Sequence, residues 1–139
     1  MPTYANKTTV TIAKSKVDIE NLCMKYGATE YITGWNNERA MIMFTMKGFK
    51  ARFEVPLPKE NSFMYKTEWE QACRQIWRVL LLVLKAKFNV IEMECSTFEA
   101  EFMANILLPD NRTVGETVLP MIEKSYDEGT VMLQLPDYS

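Results

Sequence analysis

The sequence contains no histidine. This absence excludes serine–histidine and cysteine–histidine nucleophile pairs, histidine general bases and histidine metal ligands. The three cysteines, Cys23, Cys73 and Cys95, are an odd number and stand at no zinc-ligand spacing. Glycine occurs only five times, and neither the P-loop nor the dinucleotide-binding glycine motif is present. An enzyme built on this chain would have to use carboxylates, lysine, tyrosine or backbone groups.

Long apolar runs are also lacking. The longest, residues 79–84, is far too short to span a bilayer, and the first residues lack the apolar core of a signal peptide. We therefore expect a cytoplasmic protein with no membrane partner. A content of 47% hydrophobic and 24% charged residues is ordinary for a globular chain, so residues 1–139 are predicted to form a single domain.

Charge is distributed unevenly along the chain. Residues 1–91 hold fourteen Lys/Arg against eight Asp/Glu, whereas residues 92–139 hold two against ten. The balances of +6 and −8 make the first part basic and the C-terminal part acidic, within a net charge of −2. Such a distribution can steer a charged partner, and it is equally compatible with two ordinary solvated surfaces.

Residues 67–94 carry the strongest helical pattern. Their apolar residues recur at spacings of three, four and seven: Trp69, Cys73, Ile76, Leu80, Val83, Leu84 and Ile91. Thr67 followed by Glu70 predicts a capping box at the start of the helix. The run 79–84 is apolar throughout, so that turn is expected to be covered on all sides. The pattern predicts one long core helix.

The region before this helix is predicted to be mainly β. Threonine-rich alternation in residues 8–13 predicts a first strand, and Ser15 is expected to begin a short helix. Residues 30–35, 39–46 and 49–55 then predict three consecutive strands, the last two joined by a lysine–glycine hairpin turn.

The region after the long helix is predicted to be helical. One short helix is expected from residue 96 or 97 to residue 107, and Thr113 with Glu116 predicts a capping box for another. Pro120 is expected to kink or restart that last helix. The predicted fold class is therefore α+β, with a β-α-β-β-β meander backed by one long helix and followed by two or three shorter C-terminal helices.

Basic side chains are candidates for contacts with nucleic-acid phosphates. They form two groups of three, Lys47, Lys50 and Arg52 on the hairpin and Arg74, Arg78 and Lys85 on the long helix. Spacings of four and seven place the helical group on one side of its helix. The aromatic residues Tyr31, Trp35 and Phe63 would add stacking platforms if exposed. The alternative is a solvated face with these aromatics in the core, and the pI of about 5.3 counts against strong non-specific binding.

Methionines in the second strand of the meander suggest an interface. Met41 and Met43 alternate with Ile42 and Phe44, so both faces of this strand are apolar. Either both faces are covered within the domain, or one meets another chain. Because a single helix layer covers only one face, we expect homo-oligomerisation or partner binding through Met41 and Met43.

Carboxylates near the end of the long helix are the best candidates for metal chemistry. Glu92, Glu94, Glu99 and Glu101 could offer oxygen ligands to Mg²⁺ or Mn²⁺. However, Glu99 and Glu101 are two positions apart and do not face the same way on a helix. Acidic residues in a first helical turn also stabilise the helix without any metal. We therefore expect no cofactor and no catalytic residue.

Three stretches of the sequence resemble a known group of proteins. The runs RQIWRVLLLVLKAK, TFEAEF and LPDNRTVGE resemble small uncharacterised proteins of tailed bacteriophages and prophages. The resemblance implies a phage origin and action in the host bacterial cytoplasm. It transfers no catalytic residue.

Three functional hypotheses follow. The first is a non-enzymatic phage accessory or host-takeover protein that binds nucleic acid or a nucleoprotein machine. The second is a protein-only antagonist of a host defence or transcription factor that uses the acidic C-terminal region as a decoy. The third is a divalent-metal-dependent enzyme using Glu92, Glu94 and Glu99.

Overall fold

The computed structural model describes residues 9–36 and 38–133. Its helices and strands are α1 (Ile12–Lys25), β1 (Glu30–Trp35), β2 (Arg39–Met46), β3 (Phe49–Pro56), α2 (Lys66–Glu92), α3 (Phe98–Phe102) and α4 (Val114–Glu128). The strands form an antiparallel sheet in the order β1-β2-β3. This confirms the predicted α+β class, with a meander, a long helix and shorter C-terminal helices.

The predicted strand 8–13 is wrong within the described residues, and Thr8 itself lies outside them. Residues 9–11 belong to no strand and α1 already begins at Ile12, before Ser15. Thr11 has an extended backbone, and its Oγ1 accepts a hydrogen bond from the Lys14 amide at 3.1 Å. Because threonine suits both strands and N-caps, its alternation with apolar residues did not distinguish the two.

The long helix has nearly the predicted bounds but a different start. It begins at Lys66, and the Tyr65 carbonyl accepts hydrogen bonds from the amides of Glu68 and Trp69 at 3.2 and 3.3 Å. The capping box predicted at Thr67 is therefore wrong. The expectation that the run 79–84 is covered on all sides is wrong as well, because Val83 is 39% exposed.

The core lies between one face of the sheet and the helices. Alternate residues of the central strand point into it, namely Ala40, Ile42, Phe44 and Met46. On this face α1 and α2 pack side by side, with the Tyr26 ring stacked on Phe88 at 4.7 Å between centroids. Phe102 of α3 completes an aromatic cluster, making edge contacts with Phe44 and Phe53.

The chain after α3 runs along the free edge of β3. The predicted helix through residue 107 is wrong, because α3 ends at Phe102 and only one 3-10 turn, Met103–Asn105, follows. Ile106 then bridges to Ala51, and the Leu107 amide donates to the Lys50 carbonyl at 2.8 Å. Backbone groups at this edge therefore find partners in the sheet rather than within a helix.

The last helix runs through Pro120 without interruption. Thr113 caps it as predicted, since its Oγ1 accepts from the Glu116 amide at 3.0 Å. Proline has no N–H to donate to the carbonyl four residues earlier, which is that of Glu116. Arg112 supplies a substitute, because its Nη2 donates to the Glu116 carbonyl at 3.1 Å. The restart predicted at Pro120 is therefore wrong, since α4 is one helix over Val114–Glu128, and a kink within it stays a prediction.

Candidate nucleic-acid interface

An apolar cleft of about 530 Å³ opens where α1 and α2 begin and β1 ends. The three tryptophans of the chain, Trp35, Trp69 and Trp77, all line it. Trp77 faces the core from α2 and is only 2% exposed, so it forms the floor. Trp35 stands at the end of β1 and is 65% exposed. We call this site the tryptophan cleft.

Trp69 forms a fixed wall of the tryptophan cleft. It lies in the first turn of α2, and its indole Nε1 donates to the Pro58 carbonyl at 2.8 Å. This hydrogen bond satisfies the only polar atom of the indole and holds the ring in place. Further apolar lining comes from Ile12, Ala13, Leu57 and Cys73. The cleft therefore offers flat aromatic surface with few polar groups.

Lys16 is the cation inside the tryptophan cleft. Its ammonium lies 4.8 Å from the ring centroid of Trp77 and 5.7 Å from that of Trp35. Both distances suit cation–π attraction. Partial burial removes water from the ammonium and so lowers the pKa of Lys16. Among the described residues, no carboxylate lies within ion-pair distance of it.

The predicted helical group lies beside the tryptophan cleft. Arg74 lines the cleft, with its guanidinium donating to the side-chain oxygen of Gln71. Arg78 reaches across to α1 and pairs with Asp18 at 3.5 Å. Lys85 is exposed two turns further along α2. Arg74, Arg78 and Lys85 thus lie on one side of α2, as their spacing predicted, and Arg78 joins that side to α1.

The predicted hairpin group lies on the opposite side of the molecule. Ala51 and Phe53 of β3 are buried against the helices, so Lys50 and Arg52 point to the other face of the sheet. Lys47 is exposed in the β2–β3 turn with a positive φ of 54°. The structure therefore divides the six basic residues into two separate surfaces and does not bring them together.

Arg52 is occupied by contacts within the protein. Its Nη2 pairs with Oε1 of Glu116, its Nη1 donates to the Asn111 carbonyl at 3.1 Å, and the side chain is only 20% exposed. The neighbouring Asn105 amide donates to the Arg52 carbonyl at 3.1 Å. The guanidinium lowers the pKa of the Glu116 carboxyl, with a further hydrogen bond from Thr113. These contacts tie α4 to the sheet.

Met41 and Met43 lie on the open face of the sheet and are half-buried. Ile32 of β1 pairs with Met43 across the ladder and is 50% exposed. This small apolar strip is bordered by the charged residues Glu54 and Arg52, which are the cross-strand partners of Met41 and Met43 in β3. An interface between copies of the chain through Met41 and Met43 stays a prediction. Size-exclusion chromatography with light scattering tests it, and a strict monomer at high concentration would contradict it.

The carboxylates that the sequence suggested for metal chemistry each have a different local environment. Glu92 accepts a hydrogen bond from the Tyr26 hydroxyl at 2.6 Å, Glu94 has a positive φ of 61° after α2, and Glu99 lies in the first turn of α3. Within residues 9–36 and 38–133, no three acidic or cysteine side chains are grouped closely enough to hold a metal ion. The metal-enzyme hypothesis gains no geometric support.

Sequence reasoning did not identify the tryptophan cleft as a site. The sequence suggests Trp35 as a stacking platform, but it does not single out Lys16, and its helical pattern places Trp69 in the core. Trp69 and Trp77 are eight positions apart, which places them about 80° apart around one helix at 3.6 residues per turn. The rarity of tryptophan and this shared side were the available signals. Only the packing of β1 and α1 against α2 adds Trp35 and Lys16.

Within the part of the chain that is described, no helix combines the length and the hydropathy that a membrane span requires. The chain matches no protein-family model, no curated protein and no solved structure. Its function is therefore argued from the tryptophan cleft and the surfaces around it.

Proposed function

We propose that this protein binds single-stranded nucleic acid, without catalysis, through the side of the molecule formed by α1 and α2. The observation that carries the proposal is the tryptophan cleft, where Trp35 presents an exposed indole beside Lys16, which pairs with no carboxylate of the described residues. Single strands are bound by this combination of aromatic platforms and positive charge, because every base has a stacking face and every nucleotide a phosphate.

The basic residues of α2 extend the proposed interface away from the tryptophan cleft. Arg74 lies at its rim, and Lys85 follows eleven positions later on the same side of the helix. At about 1.5 Å per residue, the two are separated by roughly 16 Å along the helix axis. A strand could therefore place one base in the cleft while its backbone follows α2. The net charge of −2 makes this a local effect rather than a property of the whole surface.

The resemblance of three sequence runs to tailed-phage proteins supports a biological setting for this activity. On that basis we propose an accessory or host-takeover factor that acts on nucleic acid or a nucleoprotein machine in the bacterial cytoplasm. Binding without chemistry agrees with the absence of histidine from the sequence. The proposal rests on the tryptophan cleft and does not depend on Arg52.

Fluorescence anisotropy with labelled single- and double-stranded DNA and RNA tests the proposal. The test variant is Arg74→Gln with Lys85→Gln, and the matched control is Lys47→Gln with Lys50→Gln on the opposite surface. At two salt concentrations, about 50 and 200 mM, the test variant should bind single strands more weakly than the natural protein. Losing two phosphate contacts should reduce the slope of log affinity against log salt by about 1.4.

The control variant shows whether the loss of affinity depends on where the charge is removed or only on how much charge is removed. It removes the same charge as the test variant, so the proposal requires it to retain the natural affinity and salt slope. Equal loss in both variants, or loss only in the control, would contradict the α1–α2 interface. No binding to any of the four nucleic acids would contradict the proposed function itself.

A second candidate function is protein binding through the acidic C-terminal region. The supporting observation is that α4 leaves Leu119, Ile122 and Tyr126 exposed, next to Asp127 and Glu128. An apolar strip with acidic neighbours suits a basic, amphipathic protein partner. Pull-down from bacterial lysate after nuclease treatment separates the two functions. A partner captured only through nucleic acid would be lost, whereas a direct protein partner would remain.

A further inference from the structure

We propose that the tryptophan cleft holds one nucleotide, with its base stacked on the indoles and its phosphate beside Lys16. The nucleotide is either a free nucleoside monophosphate or the terminal nucleotide of a strand. This inference rests on the proposed function for its class of ligand. It adds that a phosphate and a base are recognised together, at one place.

The size of the tryptophan cleft limits how much of a strand can enter. Its volume is about 530 Å³, in the lower half of the roughly 300–1,000 Å³ usual for small-molecule sites. The floor is closed by Trp77, which is almost completely buried. A planar base with its sugar and phosphate fits such a space. A run of several stacked bases would extend beyond it along α2.

The lining favours a flat, weakly polar group at the centre of the tryptophan cleft. The Nε1 donor of Trp69 is already bonded to Pro58, so this indole offers the ligand an apolar ring surface. Trp35 is the most exposed of the three indoles and presents ring surface to a ligand from the end of β1. Stacking on indoles tolerates any base, because it depends on the π-face rather than on particular hydrogen-bond groups.

The charges at the tryptophan cleft indicate where the phosphate of the ligand binds. Lys16 contacts two indole faces, and no carboxylate of the described residues pairs with it. Asp18, on the same helix, is instead engaged by Lys14 at 2.7 Å and by Arg78. Glu70 lines the cleft and disfavours an anion near itself. A phosphate is therefore expected on the Lys16 side, where it would pair with a partly desolvated ammonium.

Isothermal titration calorimetry on the full chain tests this inference. The ligands are adenosine monophosphate, adenosine and inorganic phosphate. Adenosine monophosphate should bind at least about tenfold more tightly than adenosine, because only it can use both the indoles and the ammonium. Phosphate alone should show no binding. Since all three tryptophans line the cleft, quenching of intrinsic fluorescence should accompany the same titration.

Two variants test the phosphate contact and the base contact separately. Lys16→Gln should remove the roughly tenfold preference for adenosine monophosphate while leaving adenosine binding unchanged. Trp35→Ala, at an exposed position, should weaken both ligands by about fivefold or more. Lys50→Gln, on the opposite face, serves as the control and should change neither. Circular dichroism verifies that each variant is folded.

Oligonucleotides with and without a 5′-terminal phosphate distinguish the two sources of the nucleotide. Tighter binding of the phosphorylated strand supports a strand end as the ligand, whereas equal strand binding together with tight mononucleotide binding supports a free nucleotide.

The failures of the two proposals are separable. Strand binding that depends on Arg74 and Lys85, without any mononucleotide binding, would overturn this inference and leave the proposed function standing. Mononucleotide binding without strand binding would support the inference and overturn the proposed function. Mononucleotide affinity that is unchanged in Trp35→Ala and Lys16→Gln would also overturn the inference, because the ligand would then lie elsewhere.

Discussion

Replacing Arg52 with methionine separates a structural role from a nucleic-acid contact. The sequence suggested Arg52 as a phosphate-binding residue, yet its guanidinium pairs with Glu116 and donates to the Asn111 carbonyl. Methionine retains much of the apolar stem and removes both contacts. We therefore expect Arg52→Met to lower stability while leaving nucleic-acid affinity unchanged.

The magnitude follows from the two contacts and from their exposure. A hydrogen bond to a charged group contributes about 1.5–3 kcal/mol when well shielded, and an exposed ion pair about 0.2–1 kcal/mol. Arg52 is largely shielded but the Glu116 side chain is 47% exposed, so solvent screening discounts the pair. The estimate for Arg52→Met is about 1–2 kcal/mol of unfolding free energy. In a chain of this size, that lowers Tm by roughly 3–8 °C.

Urea denaturation of Arg52→Met, Glu116→Gln and the double variant measures this effect. Lys50→Met is the matched control, because Lys50 lies on the same face without these contacts. A double-mutant cycle should give a coupling free energy of about 0.5–1.5 kcal/mol between Arg52 and Glu116. A change below about 0.3 kcal/mol in Arg52→Met, or an equal change in Lys50→Met, would refute the reasoning.

The same ion pair predicts a pH dependence. Arg52 lowers the pKa of the Glu116 carboxyl below its ordinary value of 4.5. A group with a lowered pKa in the folded state contributes stability that is present above its unfolded pKa and is lost as the pH falls through the folded one. The stability difference between the natural protein and Arg52→Met should therefore be constant above pH 4.5 and shrink below it. A difference that is unchanged in acid would contradict the assignment.

Three further predictions concern the core, the helix caps and the thiols. Phe102→Ala should cost about 3–5 kcal/mol in urea denaturation because its ring is fully buried among other phenylalanines, whereas Met103→Ala, at an exposed position, should cost less than about 0.5 kcal/mol. Thr113→Ala should cost about 1 kcal/mol by loss of the α4 cap, and Thr67→Ala should cost almost nothing because Thr67 caps no helix; equal costs would contradict the capping assignment. Titration with a thiol reagent should modify Cys95 rapidly and Cys23 only on unfolding, since burial raises the pKa of the Cys23 thiol; a fast Cys23 thiol in the folded protein would contradict this burial.

Local patterns were sufficient for much of the fold. The three strands lie close to their predicted bounds, and the Lys47–Gly48 turn has the positive φ angles that a tight hairpin requires. Alternation and turn chemistry act over a few residues, so they can be read from the chain directly. The prediction of a first strand was wrong because it also relied on local pattern alone. Thr11 suits a helix cap as well as a strand, and no neighbouring residue distinguishes the two.

Contacts between distant residues decided what local patterns left open. Pro120 was expected to kink α4 or make it restart. Whether the freed carbonyl of Glu116 remains unsatisfied depends on what lies near it, and here Arg112 donates to it. Arg52 was read as a free cation because its partner Glu116 is 64 positions away. Charge and residue type are properties of the sequence, whereas a partner is a property of the fold.

The sequence by itself determined the α+β class and the meander, whereas of the apolar stripe that it predicted for α2 only Cys73, Leu80 and Leu84 are buried. It also placed Arg74, Arg78 and Lys85 on one side of that helix. Only the tertiary structure decided which groups share a surface. The alternation of apolar and charged residues in β3 indicates that Lys50 and Arg52 point away from the core, but it does not indicate where the helical group lies. Packing placed the two groups on opposite sides. The same packing brought Trp35 and Lys16, from two other elements, to Trp69 and Trp77, because closing a cleft requires long-range contacts that no local pattern encodes.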